Sequence, residues 1–274
     1  MYHAIREQAE AIARRAGALL LEYAREHRNQ AATKTTAINL VTAADRDSEA
    51  LIVRALQEAF PDHHIHGEEG GGYGPPAAQA AYRWYVDPLD GTTNFAHGYP
   101  IYAVNLALVD RAGEPLVGLT YDPNRDECFS AVRGEGATLN GEPIRVSGVG
   151  ELRQALLLSG FPYDRHTAYD NNSQAWAAFL RRAQGVRRSG AAALDLAYVA
   201  CGRVDGYWER GPELWDIMAG VLLVHEAGGR VTTYEGTRAG LYTGKRILAS
   251  NGLIHQRMVD VLQEVAASLR SPQG

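Results

Sequence analysis

Apolar residues recur at Ile5, Ala9, Ile12, Ala16, Leu19, Leu20 and Tyr23, with charged and polar residues between them. That three-to-four spacing predicts an amphipathic helix over residues 1–27. Its charges interrupt any apolar core of the kind a signal peptide carries. A second helix is expected from Asp45 to Phe60, ended by Pro61. The following stretch, "PDHHIHGEEGGGYGPPAAQA", is rich in Gly and Pro and reads as a mobile loop. From Trp84 to about Val146 the period changes to short strand-like runs: "WYVD", "YAVNLALV", "PLVGLTYD", "ECFSAV" and "ATLN". Asn140-Gly141 marks a two-residue hairpin between "ATL" and "EPIRV". Beyond residue 150, helical patterns at about 171–183, 191–202, 214–227 and 253–269 alternate with "GYWER", "RVTTY" and "RILAS". The expected division is therefore 1–150, helices on a largely antiparallel sheet, and 151–274, alternating α and β.

Composition narrows the function classes. The 274 residues are 46% hydrophobic and 22% charged, enough for a sizeable core. With 27 Lys and Arg against 32 Asp and Glu, the net charge is -5. General nucleic-acid binding is disfavoured, because neutralising phosphates takes clustered positive charge. A phosphate-bearing substrate would need a local remedy such as bound cations. Cys128 and Cys201 sit in apolar stretches and are expected as packed free thiols, which fits a reducing cytoplasm. No run approaches the ~20 apolar residues of a membrane span. Trp84, Trp208 and Trp215 are expected in the core. His63, His64 and His66 are too loosely spaced for zinc and are expected to face solvent.

One stretch concentrates the chemistry: "WYVDPLDGTTNF", residues 84–95. A strand ending at Val86 delivers Asp87 to a sheet edge, and Pro88 fixes the backbone there. A turn folds Asp87 and Asp90 to the same side, and Gly91 lets the backbone approach a ligand. Two adjacent carboxylates repel unless a cation lies between them, and Mg²⁺ takes oxygen ligands of this kind. Free amides at a helix start near Gly91 to Thr93 suit a phosphate oxygen. Glu68-Glu69 lies upstream, and Asp216 opens an apolar helix in "ELWDIMAGVLLVHEAGG".

Together, "NLVTAAD" (39–45), "GEE", "WYVDPLDGTTNF", "RRSGAAALDLAYVACGRVDGYWE" (187–209) and "LWDIMAGVLLVHEAGG" resemble the inositol monophosphatase family, in the family's order and over most of the chain. The resemblance implies a layered αβαβα sandwich, with an α+β half and an α/β half meeting at the metal site. It implies a Mg²⁺-dependent, lithium-sensitive phosphomonoesterase, expected as a homodimer. Glu68, Asp87 and the Leu89 carbonyl would hold a first Mg²⁺, and Asp87, Asp90 and Asp216 a second; a third, weaker ion would sit near Glu68. Thr92 and Glu68 would activate a water, with Asp90 in the same catalytic set. The amides of Gly91 and Thr92 would cradle phosphate. Glu209 would contact substrate hydroxyls, alongside Asp216. Gly190, Ala191 and Ala192 would line the sugar-side pocket. Arg187 would touch substrate, and Lys34 and Asp45 belong to a mobile loop closing on the metals.

The physics agrees with that implication. A phosphate monoester is anionic with a poor leaving group. Two cations about 3.5–4 Å apart activate water and stabilise both the attacking and departing oxygens. Direct attack by water is expected, since no Cys or His is placed as nucleophile. Thr-Thr-Asn-Phe after Asp90-Gly91 resembles the inositol monophosphatase branch, favouring inositol 1-phosphate or a similar polyol monophosphate. Fructose 1,6-bisphosphate and NADP or another nucleotide are the alternatives. A second class of reading is a dual-role regulator that binds a protein or RNA partner. Intact Glu68, Asp87, Asp90, Asp216 and Thr92 argue against loss of catalysis.

Overall fold

The computed structural model describes residues 1–29, 34–243 and 245–270, and side chains within these except at 27–42 and at residue 270. Two helices, α1 (Tyr2–Asn29) and α2 (Lys34–Ala59), precede an eight-stranded sheet. Its strands are β1 (His64–Gly67), β2 (Gly71–Tyr73), β3 (Tyr82–Asp90), β4 (Ala103–Asp110), β5 (Pro115–Asp122), β6 (Glu127–Val132), β7 (Ala137–Leu139) and β8 (Glu142–Ile144), in the order β2-β1-β3-β4-β5-β6-β7-β8. A short helix, α3 (Thr92–Ala96), follows β3. Pairing is antiparallel throughout except between β1 and β3. Leu139 pairs with Glu142 across Asn140 and Gly141, both at positive φ, so the expected two-residue hairpin is present.

The second sheet has five strands, β9 (Leu156–Ser159), β10 (Gly185–Arg187), β11 (Gly206–Arg210), β12 (Arg230–Thr232) and β13 (Arg246–Ser250), ordered β10-β9-β11-β13-β12. Four helices accompany it: α4 (Ser173–Leu180), α5 (Ala192–Ala200), α6 (Leu214–Glu226) and α7 (His255–Arg270). Each coincides with a helical pattern in the sequence.

Burial explains the layering. The apolar stripe Ile5, Ala9, Ile12, Ala16 and Leu20 of α1 joins Ile52 and Leu56 of α2 against Trp84, Val86, Leu106 and Leu119 of the first sheet. The other face of that sheet meets Met218 and Ala219 of α6. The α5–α6 pair then packs on Tyr207, Ile247 and Ala249 of the second sheet. Phe179 of α4 and Met258 and Leu262 of α7 cover its far side around Trp208. The layers run αβαβα, as the resemblance implies. Helices α5 and α6 are buried on both sides, which is why they are apolar nearly all round, while α1 and α7 carry one stripe.

Three local expectations need correction. Helix α2 begins at Lys34, so "NLVTAAD" is helical and not part of a loop; no Gly or Pro between Lys34 and Asp45 stops the helix. The Lys34 side chain lies outside the described residues. The "HHIHGEEGGGY" stretch supplies β1 and β2, and His63 is partly buried, stacked on Phe60 and accepting from Trp84 Nε1 at 3.1 Å. Trp84 and Trp208 are core, but Trp215 is only half-buried, stacked on His66 with ring centroids 5.5 Å apart. The two cysteines are free, Cys128 buried and Cys201 partly so.

Candidate active site

Residues 87 and 90 are an odd number apart, so in a regular strand their side chains would point to opposite faces. The pairing of β3 with β4 removes that parity. Asp87 faces Asn105 and Asp90 faces Ala103, so three steps on β3 match two on β4. This one-residue bulge at Pro88-Leu89 turns both carboxylates to one side. Asp87 Oδ1 accepts from the Leu89 amide at 3.0 Å, which fixes the turn from within. Gly91 follows at φ 93° and ψ 33°, and a Cβ there would come within 2.9 Å of the Ile101 carbonyl oxygen. Only glycine suits that conformation and that approach.

The partners arrive from both halves of the chain. Glu68 stands just past β1, its amide bonded to the Val86 carbonyl at 3.2 Å. Asp216 occupies the first turn of α6, in a capping box with Glu213, and its Oδ2 accepts from the Glu213 amide at 2.7 Å. Asp90 is gripped from across the fold, Oδ1 by the Ala192 amide at 3.1 Å and Oδ2 by the Ala193 amide at 2.8 Å. Those amides open helix α5, so the ionised form of Asp90 meets its positive end. Glu68, Asp87, Asp90 and Asp216 line one cavity of about 440 Å³, together with Leu89, Gly91, Thr92, Gly190, Ala191, Ala192 and Glu209.

The sequence placed these eleven together, and Arg187 with them. The structure leaves it outside: it is exposed at the end of β10, and its guanidinium folds back on the Val186 carbonyl at 3.1 Å. Arg188 lines the cavity instead, its guanidinium 5.3 Å from the Phe161 ring centroid. Asp45 is buried on α2 near Glu68 and Glu69, not on a loop. Sequence reasoning missed Asn94, Tyr163, Arg165 and Asp195, which also line the cavity. Asn94 Nδ2 donates to the carbonyls of Ile101 at 2.8 Å and Ser189 at 2.9 Å, tying α3 to the loop before α5. Asp195 is buried and accepts from Ser189 Oγ. A carboxylate inside the otherwise apolar run "AAALDLAYVA" was the available signal.

The electrostatics show why the cluster is unusual. Burial pushes Asp87 well above the usual carboxylate range, and Glu68, Asp90 and Asp216 add repulsion. Burial likewise raises Asp90, with Asp216 and Glu209 reinforcing it. Glu68 and Glu209 are pushed up to about 7 and Asp216 to about 6, each chiefly by burial. The charged groups acting most on Asp87 and Asp90 are all acids. Buried like charges of this density need protons or cations between them. The donors are hard oxygens, which fits a Mg²⁺-like ion. Among the described residues, no three acidic, His or Cys side chains already converge on one point as a finished cage. The reason is visible: Asp87 shares hydrogen bonds with Glu68 and Asp216, and backbone amides hold Asp90 and Asp216. A cation would replace the protons shared between carboxylates.

A stability prediction follows with a definite sign. Acids raised in the folded state bind more protons than in the unfolded chain, so their contribution is lost as pH rises through the folded values. Asp45, pushed up to about 8, and Glu68 and Glu209 at about 7 set the window. Chelator-treated protein should gain at least about 2–4 °C in melting midpoint between pH 8.5 and pH 6.5, and excess Mg²⁺ should flatten the slope. Buried His255, pushed down to about 4, acts oppositely but only below about 6.5. A midpoint that falls over this window would contradict the buried acidic cluster.

Glu209 depends on a neighbour of no apparent chemistry. A Cβ on Gly160 would land on the Glu209 carboxylate, which Tyr207 otherwise holds through its hydroxyl. Gly160→Ala is therefore expected to expel Glu209 and raise KM about 10-fold or more, with a smaller change in kcat. Equal losses in both constants would place Glu209 elsewhere in the reaction.

The comparisons with known proteins agree. The inositol monophosphatase family model matches residues 1–267. An inositol-1-monophosphatase from Synechocystis sp. is 48% identical over 84% of this chain and 78% of its own. The Nus factor SuhB of Pseudomonas aeruginosa is 45% identical over 81% of this chain and 82% of its own. The solved inositol monophosphatase from Anabaena (Nostoc) sp. superposes with a TM-score of 0.86 at 46% identity, covering 96% of both chains. Bulge, carboxylate cluster, layered fold and these likenesses lead to one assignment: the chain belongs to the inositol monophosphatase family, a family of phosphatases.

Proposed function

We propose that this chain is a Mg²⁺-dependent phosphomonoesterase acting on inositol 1-phosphate or a similar polyol monophosphate. The observation that carries the reading is that Glu68 and Asp216 join the buried pair Asp87 and Asp90 in lining a single cavity beside Gly91 and Thr92. Glu68, Asp87 and the Leu89 carbonyl would hold one Mg²⁺, and Asp87, Asp90 and Asp216 another, with a third near Glu68. Mg²⁺ bound there would supply Lewis acidity and charge neutralisation at the phosphate. Thr92 Oγ1 donates to the Leu89 carbonyl at 3.1 Å, which leaves its lone pairs to accept from an attacking water. Glu68 lines the same cavity and would act with Thr92 to orient and activate that water. The amides of Gly91 and Thr92 cradle phosphate oxygens. The ring hydroxyls meet Glu209 and the Gly190–Ala192 loop. In place of the Arg187 contact suggested by the sequence, Arg188 lines the cavity, as does Arg165.

Lithium sensitivity, a homodimeric assembly and a cytoplasmic location belong to the same proposal. Among the described residues no helix is long and apolar enough to cross a membrane. Fructose 1,6-bisphosphate and NADP or another nucleotide are the competing substrates. A second role, binding a protein or RNA partner, draws support from the relatives named Nus factor SuhB. The test is phosphate release by purified protein with Mg²⁺, offering inositol 1-phosphate, fructose 1,6-bisphosphate, adenosine 3′,5′-bisphosphate and NADP side by side. Turnover of inositol 1-phosphate above the others is expected; turnover of none, with Mg²⁺ bound, overturns the proposal. A partner still captured by Asp90→Asn would support the second role.

A further inference from the structure

The acidic ligands of the candidate site come from separate segments, and something must hold those segments in register. Glu68 sits on the turn between β1 and β2, whereas Asp87 and Asp90 flank the bulge in β3. Neither the turn nor the bulge is a rigid element by itself. Both are held by adjacent residues of α2, and neither of those residues lines the cavity.

Ser48 is fully buried, and its Oγ donates to the Pro88 carbonyl at 3.0 Å, inside the bulge. Glu49 is 3% exposed and turns toward the other segment. Its Oε2 accepts from the Glu69 amide at 2.8 Å, and its Oε1 from the Gly70 amide at 2.7 Å and the Tyr73 hydroxyl at 2.9 Å. Three donors and no cation account for its hydrogen bonds, so this carboxylate is not a surface charge partner. The fit is close: a Cβ on Gly67 would overlap the Glu49 carboxylate, and one on Gly70 would come within 2.8 Å of it. Asp45, one turn earlier on the same face, lies near enough to interact with Glu68 and Glu69.

We infer that Ser48 and Glu49 are positioning residues: one turn of α2 clamps the Glu68 turn and the Asp87–Asp90 bulge at a fixed separation. The clamp sets how well the site holds a cation without contacting cation or substrate. This inference rests on the metal reading above. Groups that orient metal ligands from behind typically change affinity 10–100-fold when removed. Glutamine cannot replace Glu49, because its amide NH₂ would face one of the three donors.

The test is calorimetric titration of Mg²⁺ into the chelator-treated full chain, beside thermal melts. Wild type is compared with Glu49→Gln, Ser48→Ala, and Arg54→Ala on the exposed side of α2. Glu49→Gln is expected to weaken Mg²⁺ binding about 10–100-fold, and Ser48→Ala by a smaller factor, while Arg54→Ala matches wild type. A folded Glu49→Gln that binds Mg²⁺ with the wild-type constant, only melting earlier, overturns the inference in favour of a purely structural role. Should Glu49→Gln not fold, Ser48→Ala decides: an unchanged constant there overturns the clamp. Failure of the underlying reading is separable, because it would show as wild-type protein that takes up no Mg²⁺.

Discussion

Asp90→Asn is expected to lower phosphate release by on the order of 10²–10³-fold, the loss typical of removing one preorganised electrostatic group. The substitution changes little in shape, so the effect is chemical. Both Asp90 oxygens are already used by the Ala192 and Ala193 amides, and their remaining lone pairs are what a cation would take. Asparagine keeps one oxygen and turns an NH₂ toward a donor, losing a hydrogen bond worth about 1 kcal/mol. It also removes a carboxylate that burial and Asp216 make costly to ionise, which offsets that loss. The melting midpoint without metal should therefore stay within about 4 °C of wild type, while the stabilisation by Mg²⁺ disappears. Two readings check the idea, phosphate release and the Mg²⁺-dependent shift in midpoint. Retained turnover with an unchanged Mg²⁺ shift would remove Asp90 from the site.

How much of this was legible before folding depends on the kind of signal. The helices of the second half and three of its strands follow from periodicity, because each buries its apolar residues in a layered core; β11, β12 and β13 coincide with "GYWER", "RVTTY" and "RILAS", whereas β9 and β10 were not singled out. Asp87 and Asp90 were legible as a pair because Asp, Pro and Gly cluster where a strand should end, and Glu68 and Asp216 joined them through the family resemblance. The bulge that brings Asp87 and Asp90 to one face was not, since register against β4 is a property of two strands. Arg187 and Arg188 show the same limit. Adjacent residues on a strand end point apart, and the choice between them depends on the sheet rather than on the arginine. Helix α2 was placed too late because polar Thr, Asn and Asp look like loop residues, although nothing among them breaks a helix. Asn94, Asp195, Ser48 and Glu49 act through long-range contacts and carry no local pattern.

Asn105→Leu is expected to destabilise the protein by about 3 kcal/mol and to cut activity as well, although Asn105 was in no candidate set. The side chain is fully buried at the centre of the first sheet, paired across strands with Asp87 on one side and Thr120 on the other. Its Nδ2 donates to the carbonyls of Trp215 at 2.6 Å and Asp216 at 3.2 Å, and its Oδ1 accepts from Thr120 Oγ1 at 2.7 Å. One amide thus joins the strand beside Asp87 to the helix turn that carries Asp216. Leucine fills the space but leaves the Thr120 hydroxyl buried without a partner and frees the α6 turn. For a chain of this size the midpoint should fall by about 6–12 °C. Adding Thr120→Val removes the stranded hydroxyl, so the double variant should recover stability and the two effects should not add. Activity should not recover with it, because Asp216 is still unanchored from the sheet. A double variant that regains both would mean Asn105 serves only the core; one that regains stability alone separates the polar link from the packing around it.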